Sequence, residues 1–193
     1  MSWKGCASSA ATALTGVNCP DAARVQDGAS LMAQEDAVQI AVTRAIAVRP
    51  PAVFARLADV TKWPATIGSI KRLELLTPGP IRVGTRIRAQ RAMFGRDTTE
   101  ELEIVEIERP RRLRLAAESR GLQYERDHII DAMQPGSRVT LIIRQRSDTE
   151  LGSALVPFIR PFMEINLRDE LEQDLNDLLA AVHAEQSSTA AGS

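Results

Sequence analysis

The sequence predicts an α+β fold in which one antiparallel sheet is covered by a single long helix. Three observations predict it: an alternating segment at 38–48, six more such segments between residues 69 and 147, and a helical apolar stripe over 151–184. Alternation with a period of two is typical of strands, whereas apolar spacings of three and four are typical of a helix. Because a sheet with one apolar face needs a second layer, we expect the long helix to cover it.

The bulk composition indicates an ordinary globular protein. A chain of 193 residues usually forms one domain, and an apolar fraction of 44% is common among such domains. The 24 basic residues are balanced by 25 acidic ones, so no net field favours nucleic acid or an acidic membrane. The apolar runs are too short for a membrane span. We therefore expect a cytoplasmic protein with no nucleic-acid partner.

Composition divides the chain into one domain and two polar ends. Residues 1–36 are rich in Ala, Ser, Thr and Gly, and they predict a disordered extension or a stretch upstream of a true start at Met32. Residues 37–185 carry every strand and helix signal, and residues 186–193 are predicted to form a disordered tail. Both cysteines lie in the extension without a CxxC pair or a histidine partner, so we expect no metal and no other cofactor.

A short helical segment follows the first strand. Pro50 and Pro51 end that strand and suit the first turn of a helix, where the missing N–H needs no partner. Phe54 and Leu57 belong to one apolar helical face, which we expect to pack against the long helix. Pro64 is expected to hold Trp63 in extended geometry near the open end between sheet and helix.

The remaining strands are separated by short turns. They are predicted at 69–77, 83–94, 97–108, 111–119, 122–133 and 137–147. This spacing indicates an antiparallel meander. In the long helix, Pro157 and Pro161 are expected to kink or restart the first part.

Several strings resemble the START-like superfamily, also called SRPBCC, and within it the polyketide cyclase/dehydrase and lipid transport group. They are PPAVFARLADVTKWP, VGTRIRAQ, EIVEIERPRRLRL, GSRVTLIIRQ and LRDELEQDLNDLLAAVHA, within residues 38–184. The resemblance implies a helix-grip fold, with a curved seven-stranded antiparallel sheet wrapped around the C-terminal helix and two short helices after strand one. It also implies a hydrophobic cavity, whereas catalysis stays open because only some members of the superfamily are enzymes.

Strand alternation then assigns side chains to the inner face of the sheet, provided that no bulge shifts the phase. The candidate cavity residues are those on this face together with apolar residues of the helices: Phe54, Leu57, Trp63, Ile87, Arg91, Leu102, Ile104, Leu115, Tyr124, His128, Leu141, Ile143, Phe158, Phe162 and Met163. Phe158, Phe162 and Met163 are expected to serve as core and cavity wall together. The charged string RDELEQDLND is expected to form a solvated helix face.

Polar side chains on the inner face of the sheet allow two interpretations each. His128 is a candidate general acid or base, or else a satisfied core histidine. Arg91 and Arg126 are suited to a ligand carboxylate or carbonyl; if buried they need a partner such as Glu100 or Glu101, and at the rim they would reach water.

Three hypotheses of function follow. The first is binding, transport or sequestration of a hydrophobic small molecule such as a lipid or polyketide. The second is a polyketide aromatase/cyclase or dehydratase in which His128, Tyr124 and Arg91 polarise a carbonyl and move protons. The third is a toxin-like or regulatory protein that acts through a protein contact. We favour the first because the sequence contains no nucleophile elbow, zinc-protease motif or phosphate loop.

Overall fold

A computed structural model describes residues 37–93, 95–119, 122–147 and 150–191 of the chain. The expected N-terminal extension, residues 1–36, lies outside the described residues. Within them the chain forms β1 (Ala37–Ile46), α1 (Pro50–Ala58), a 3₁₀ turn (Val60–Lys62), α2 (Trp63–Thr66), β2 (Ile70–Leu75), β3 (Arg86–Met93), β4 (Arg96–Glu108), β5 (Arg112–Ser119), β6 (Leu122–Ala132), β7 (Ser137–Ser147) and α3 (Glu150–Ala191). The predicted order of elements is confirmed.

The seven strands form one antiparallel, curved sheet in the order β1-β7-β6-β5-β4-β3-β2. Consecutive strands from β2 to β7 are neighbours, as the meander predicts, and β1 pairs with β7. The strands at the two edges are therefore consecutive in the chain, and α1 and α2 connect one edge to the other. With α3 as its cover, this is the helix-grip architecture.

The segment between the two edges begins as the sequence predicts. Pro50 and Pro51 occupy the first turn of α1, and Phe54 and Leu57 are buried. Trp63, however, has helical geometry (φ −56°, ψ −42°), so the prediction that Pro64 holds it extended is wrong. The Trp63 side chain is buried, and its Nε1 donates a hydrogen bond of 3.0 Å to the carbonyl oxygen of Leu57. This packing outweighs the steric preference of a residue that precedes proline.

The predicted alternation of the strands is confirmed by burial. The buried side chains at these positions are Ile87, Ala89, Arg91, Leu102, Ile104, Leu113, Leu115, Arg126, His128, Ile130, Val139, Leu141 and Ile143. Register shifts occur at two places in the described strands, between Ile70 and Arg72 where β2 pairs with β3 and between Ile104 and Glu106 where β4 pairs with β5. The second reverses the phase of β4 beyond that point, so that Ile107 packs against the core.

Helix α3 is continuous over 42 residues, about 60 Å. Neither Pro157 nor Pro161 divides it, and it includes residues 186–191, which the sequence assigned to a tail. The residues that pack it on the core are Leu167, Leu171, Leu175, Leu178, Leu179 and Val182. No described helix is long and apolar enough to cross a membrane.

The first half of α3 differs from the prediction. Phe158 is 82% exposed and Phe162 is 67% exposed, so their assignment to the core is wrong. Met163 is partly buried and packs against the core. The reason is a change of phase: Phe158, Phe162 and Ile165 form one stripe, but the two-residue step from Ile165 to Leu167 turns the helix by about 200°. The two apolar stripes therefore lie on opposite sides of the helix.

Candidate functional site

A buried carboxylate on α3 joins the helix to two separate strands of the sheet, β3 and β6. Asp174 is 2% exposed, and its Oδ2 accepts hydrogen bonds from Arg91 Nη2 at 2.6 Å and from Arg126 Nη1 at 2.8 Å. Its Oδ1 accepts one from Ser69 Oγ at 2.6 Å, and Arg91 Nη2 also donates to that hydroxyl at 2.8 Å. We call this group, with its neighbours, the inner polar cluster: Ser69, Arg91, Glu100, Tyr124, Arg126, Glu170 and Asp174.

Local structure explains why these groups meet. Arg91 near the end of β3 and Arg126 in the middle of β6 point inward because of the strand period. Asp174 lies one turn from Leu171 and one turn from Leu178, so it shares the side of α3 that packs on the sheet. The two strands are three apart in the curved sheet, yet the single carboxylate of Asp174 reaches both arginines.

Asp174 was not among the predicted site residues, because the whole string RDELEQDLND was expected to form a solvated helix face. A signal was present: Glu170, Asp174 and Asp177 recur at intervals of four and three beside the leucine stripe. Asp177 joins the helix to the loop before β2, since its Oδ2 accepts a hydrogen bond of 2.8 Å from the backbone N–H of Gly68.

Of the two predicted partners for the arginines, only one lies inside. Glu100 Oε1 lies 3.7 Å from Arg91 Nη1, and Glu100 Oε2 accepts a hydrogen bond from the Tyr124 hydroxyl. Glu101 lies on the outer face, where its carboxylate pairs with Arg86 and Arg88.

Burial and charge set the protonation of the cluster. Burial opposes ionisation of Asp174, but Arg126 and Arg91 outweigh it and hold the pKa of the carboxyl below its usual value. Burial raises the pKa of Glu170. Burial also raises the pKa of Tyr124, and the neighbouring Glu100 carboxylate raises it further. Asp174 is thus the ionised partner of the arginines, whereas burial favours the uncharged form of Glu170.

His128 occupies the same face of β6 as Tyr124 and Arg126. Its Nδ1 lies 3.3 Å from the carbonyl oxygen of Leu113, and since a carbonyl only accepts, Nδ1 carries the hydrogen. The described residues offer no hydrogen-bond partner to Nε2. The ring centroid lies 6.2 Å from that of Trp63. Burial, helped by Arg126, lowers the pKa of His128 to about 4, so at neutral pH the ring is uncharged and Nε2 is an acceptor.

Several buried atoms of the inner polar cluster have no hydrogen-bond partner among the described residues. They are Arg91 Nε, Arg126 Nε, Glu100 Oε1 and Glu170 Oε1, with Gln145 Oε1 nearby on β7. An unpaired buried polar group costs about 1–3 kcal/mol, so native proteins rarely leave one without a partner. Such atoms are suited to hydrogen bonds with a bound molecule or with water.

The outer face of the same sheet carries its own network of ion pairs, in which Arg114 Nε is also buried without a hydrogen-bond partner among the described residues. The carboxylate of Asp127 accepts two hydrogen bonds from Arg112, at 2.9 and 2.5 Å, and Arg144 Nη1 lies 3.5 Å from it. The described residues include no group of three His, Cys, Asp or Glu side chains placed to hold a metal ion.

The structure thus brings most of the predicted cavity residues to one interior surface. Arg91 and Tyr124 belong to the inner polar cluster, and His128 lies beside Trp63. Their apolar companions on the sheet and α1 are buried around them: Phe54, Leu57, Ile87, Leu102, Ile104, Leu115, Leu141 and Ile143. Phe158 and Phe162 do not join this surface. That these side chains contact a ligand stays a prediction.

Comparison with known proteins finds a matching family model and solved structures with a similar fold. Residues 37–183 match the family model described as polyketide cyclase/dehydrase and lipid transport. Among solved structures, the protein TTHA0849 from Thermus thermophilus aligns with a TM-score of 0.61 and 20% identity, over 76% of this chain and 98% of that one. The ZhuI aromatase/cyclase from Streptomyces sp. R1128 aligns with a TM-score of 0.60 and 16% identity, over 76% and 94%.

A third solved structure is the di-domain aromatase/cyclase StfQ from the steffimycin biosynthetic pathway, with a TM-score of 0.66 and 12% identity over 86% of this chain and 62% of that one. At these identities the likeness concerns the fold. No curated protein matches the sequence significantly.

Proposed function

We propose a function from one premise: the chain belongs to the polyketide cyclase/dehydrase and lipid transport family. The protein binds a hydrophobic small molecule between the inner face of the sheet and α3. The apolar side chains of β3 to β7 contact the body of the ligand, and the inner polar cluster contacts its polar end.

The unpaired atoms of the inner polar cluster are the observation that carries the proposal. Four of them, on Arg91, Arg126, Glu100 and Glu170, lie buried, and most of the side chains around the inner polar cluster are apolar. Ligand sites commonly combine an apolar wall with a few convergent polar groups. The neutral Nε2 of His128, two positions along β6 from Arg126, adds an acceptor to the same face.

A neutral fluorescent probe, N-phenyl-1-naphthylamine, tests this proposal on the full chain. We expect saturable binding of one probe per chain. Ala117→Trp, which fills space on the inner face of β5, should weaken the probe's affinity by about tenfold or more, because overpacking displaces an apolar ligand. Ala116→Trp adds the same bulk to the outer face of that strand and should leave the affinity nearly unchanged. A folded protein that shows no saturable binding contradicts the proposal.

A second candidate is an aromatase/cyclase or dehydratase reaction, and His128 is the observation that favours it. Its neutral ring and the Tyr124 hydroxyl both belong to the inner face of β6, and both are groups of the kind that general acid-base chemistry uses. With its pKa lowered to about 4, however, His128 is a weak base at neutral pH, and Arg91 is already bound to Asp174. Turnover of a polyketide-like substrate that disappears in folded His128→Ala would favour this candidate over binding alone.

A further inference from the structure

The charges of the inner polar cluster leave no excess of positive charge for a ligand anion. The terminal nitrogens of Arg91 and Arg126 converge on one oxygen of Asp174, at 2.6 and 2.8 Å. Glu100 lies 3.7 Å from Arg91, and Glu170 is close enough for both arginines to act on its pKa. Two cationic side chains therefore face three acidic ones. A ligand carboxylate bound here would be buried without a counter-ion, which is unfavourable.

The buried atoms that lack a hydrogen-bond partner indicate which chemical group of a ligand would complement the site. Arg91 Nε and Arg126 Nε are donors, whereas Glu100 Oε1 and, in its ionised form, Glu170 Oε1 are acceptors. A hydroxyl group donates one hydrogen bond and accepts others. It can therefore pair with both kinds of atom, whereas a ketone or carboxylate only accepts and would leave Glu100 Oε1 without a hydrogen-bond partner.

We infer that this site selects a neutral apolar ligand that carries a hydroxyl group, a phenol or an alcohol, and rejects ligands that carry a carboxylate. The inference rests on the proposed function and specifies the polar end of its ligand. It replaces the interpretation that the two arginines bind a carboxylate, because the nitrogens that would do so are bound to Asp174.

Three probes of equal ring size test the inference: 2-naphthol, 2-naphthoate and 2-methylnaphthalene. Near pH 7 the phenol is neutral and the carboxylic acid is ionised. Titration calorimetry on the full chain should show that 2-naphthol binds about tenfold or more tightly than 2-naphthoate, because a site with unpaired polar atoms rejects an analogue that cannot satisfy them. 2-Methylnaphthalene has no polar group, so its affinity measures the apolar contribution to binding alone.

Asp174→Asn tests the charge argument directly. The substitution leaves Arg91 and Arg126 with less compensation, so the preference for 2-naphthol over 2-naphthoate should fall by about fivefold or more. Asp169→Asn removes the same charge from an exposed position of the same helix and should leave the preference unchanged. If Asp174→Asn does not fold, as judged by circular dichroism, Glu100→Gln serves in its place, because the Glu100 carboxylate lies 3.7 Å from Arg91 Nη1, with an expected decrease of about threefold.

The possible outcomes separate this inference from the function on which it rests. If 2-methylnaphthalene binds but wild-type protein takes 2-naphthoate as tightly as 2-naphthol, the inference is overturned and apolar binding stands. If none of the three probes binds to folded protein, the proposed function fails and this inference fails with it. The inference is also overturned if folded Asp174→Asn shows the same preference for 2-naphthol over 2-naphthoate as the wild type.

Discussion

His128 illustrates how one side chain acquires its chemistry from its neighbours. Strand period alone places it on the inner face, but the carbonyl of Leu113 fixes the hydrogen on Nδ1, and burial lowers the pKa of the ring. A histidine in this state is an acceptor at neutral pH. The same side chain at a solvated rim would titrate near 6.5 and exchange protons readily.

The lowered pKa of His128 predicts that protein stability depends on pH. Because the pKa falls from 6.5 to about 4 on folding, the unfolded chain binds more protons between these values. The contribution of the neutral His128 ring to the free energy of unfolding is therefore complete above pH 6.5 and is lost as the pH falls towards 4. By this linkage, the wild-type free energy of unfolding should fall by about 2 kcal/mol from pH 7.5 to pH 5 through His128 alone.

Urea denaturation at the two pH values measures this effect. His128→Gln should show a smaller decrease than wild type by about that amount, because glutamine does not titrate. His183→Gln removes the chain's other histidine, which is exposed on α3, and should behave as wild type. Equal decreases in His128→Gln and wild type would contradict the assignment of a buried, neutral ring.

At the scale of elements, α3 is one helix with two different halves. From Leu167 onward its leucines face the sheet, and Asp174 and Asp177 fix it to the sheet and to the loop before β2. Before that point the apolar stripe that contains Phe158 and Phe162 faces away. A helical period in the sequence predicts that an apolar face exists, but it does not state which side of the helix the sheet will cover.

A pair of alanine substitutions tests this difference between the halves. Leu171→Ala should lower the free energy of unfolding by about 2–5 kcal/mol, because it leaves a cavity in the core. Phe162→Ala removes a larger side chain, yet it should change the value by less than about 1 kcal/mol, because that side chain is largely in solvent. Both values come from urea denaturation monitored by circular dichroism. If Phe162→Ala lowered the free energy of unfolding as much as Leu171→Ala, the first half of α3 would belong to the core.

For the whole molecule, the order of strands makes the two short helices structurally necessary. The edges of the sheet, β1 and β2, are consecutive in the chain, so α1 and α2 must pass from one edge to the other. On the way they bring Phe54, Leu57 and Trp63 against the interior. The curved sheet, these helices and α3 together enclose the inner polar cluster.

This arrangement predicts that stability is distributed unevenly along α3. Backbone amides of residues 167–182 should exchange hydrogen slowly, close to the rate set by global unfolding, because opening them breaks core contacts. Amides of residues 158–166 should exchange faster. Hydrogen exchange measured by mass spectrometry on the full chain compares the two segments, and strands β6 and β7 provide the slow reference. Uniform protection along the helix would contradict this view of α3.

The sequence by itself determined the elements, their order and the inner face of each strand. Those properties depend on local patterns: a period of two places Ile87, Arg91 and Leu115 inside, and Pro50 with Pro51 marks the start of α1. They were predictable because each follows from residues close together in the chain. The family resemblance, which rests on such strings, was predictable for the same reason.

Only the tertiary structure decided how the elements meet. The burial of Asp174, the helical conformation of Trp63 and the exposure of Phe162 all depend on where α3 and the short helices pack on the sheet. Arg91, Arg126 and Asp174 are far apart in sequence, and only the folded chain brings two cations and one carboxylate within hydrogen-bonding distance. Once burial has removed water from these groups, their partners can come only from the protein or a ligand, and no local pattern records which partner that is.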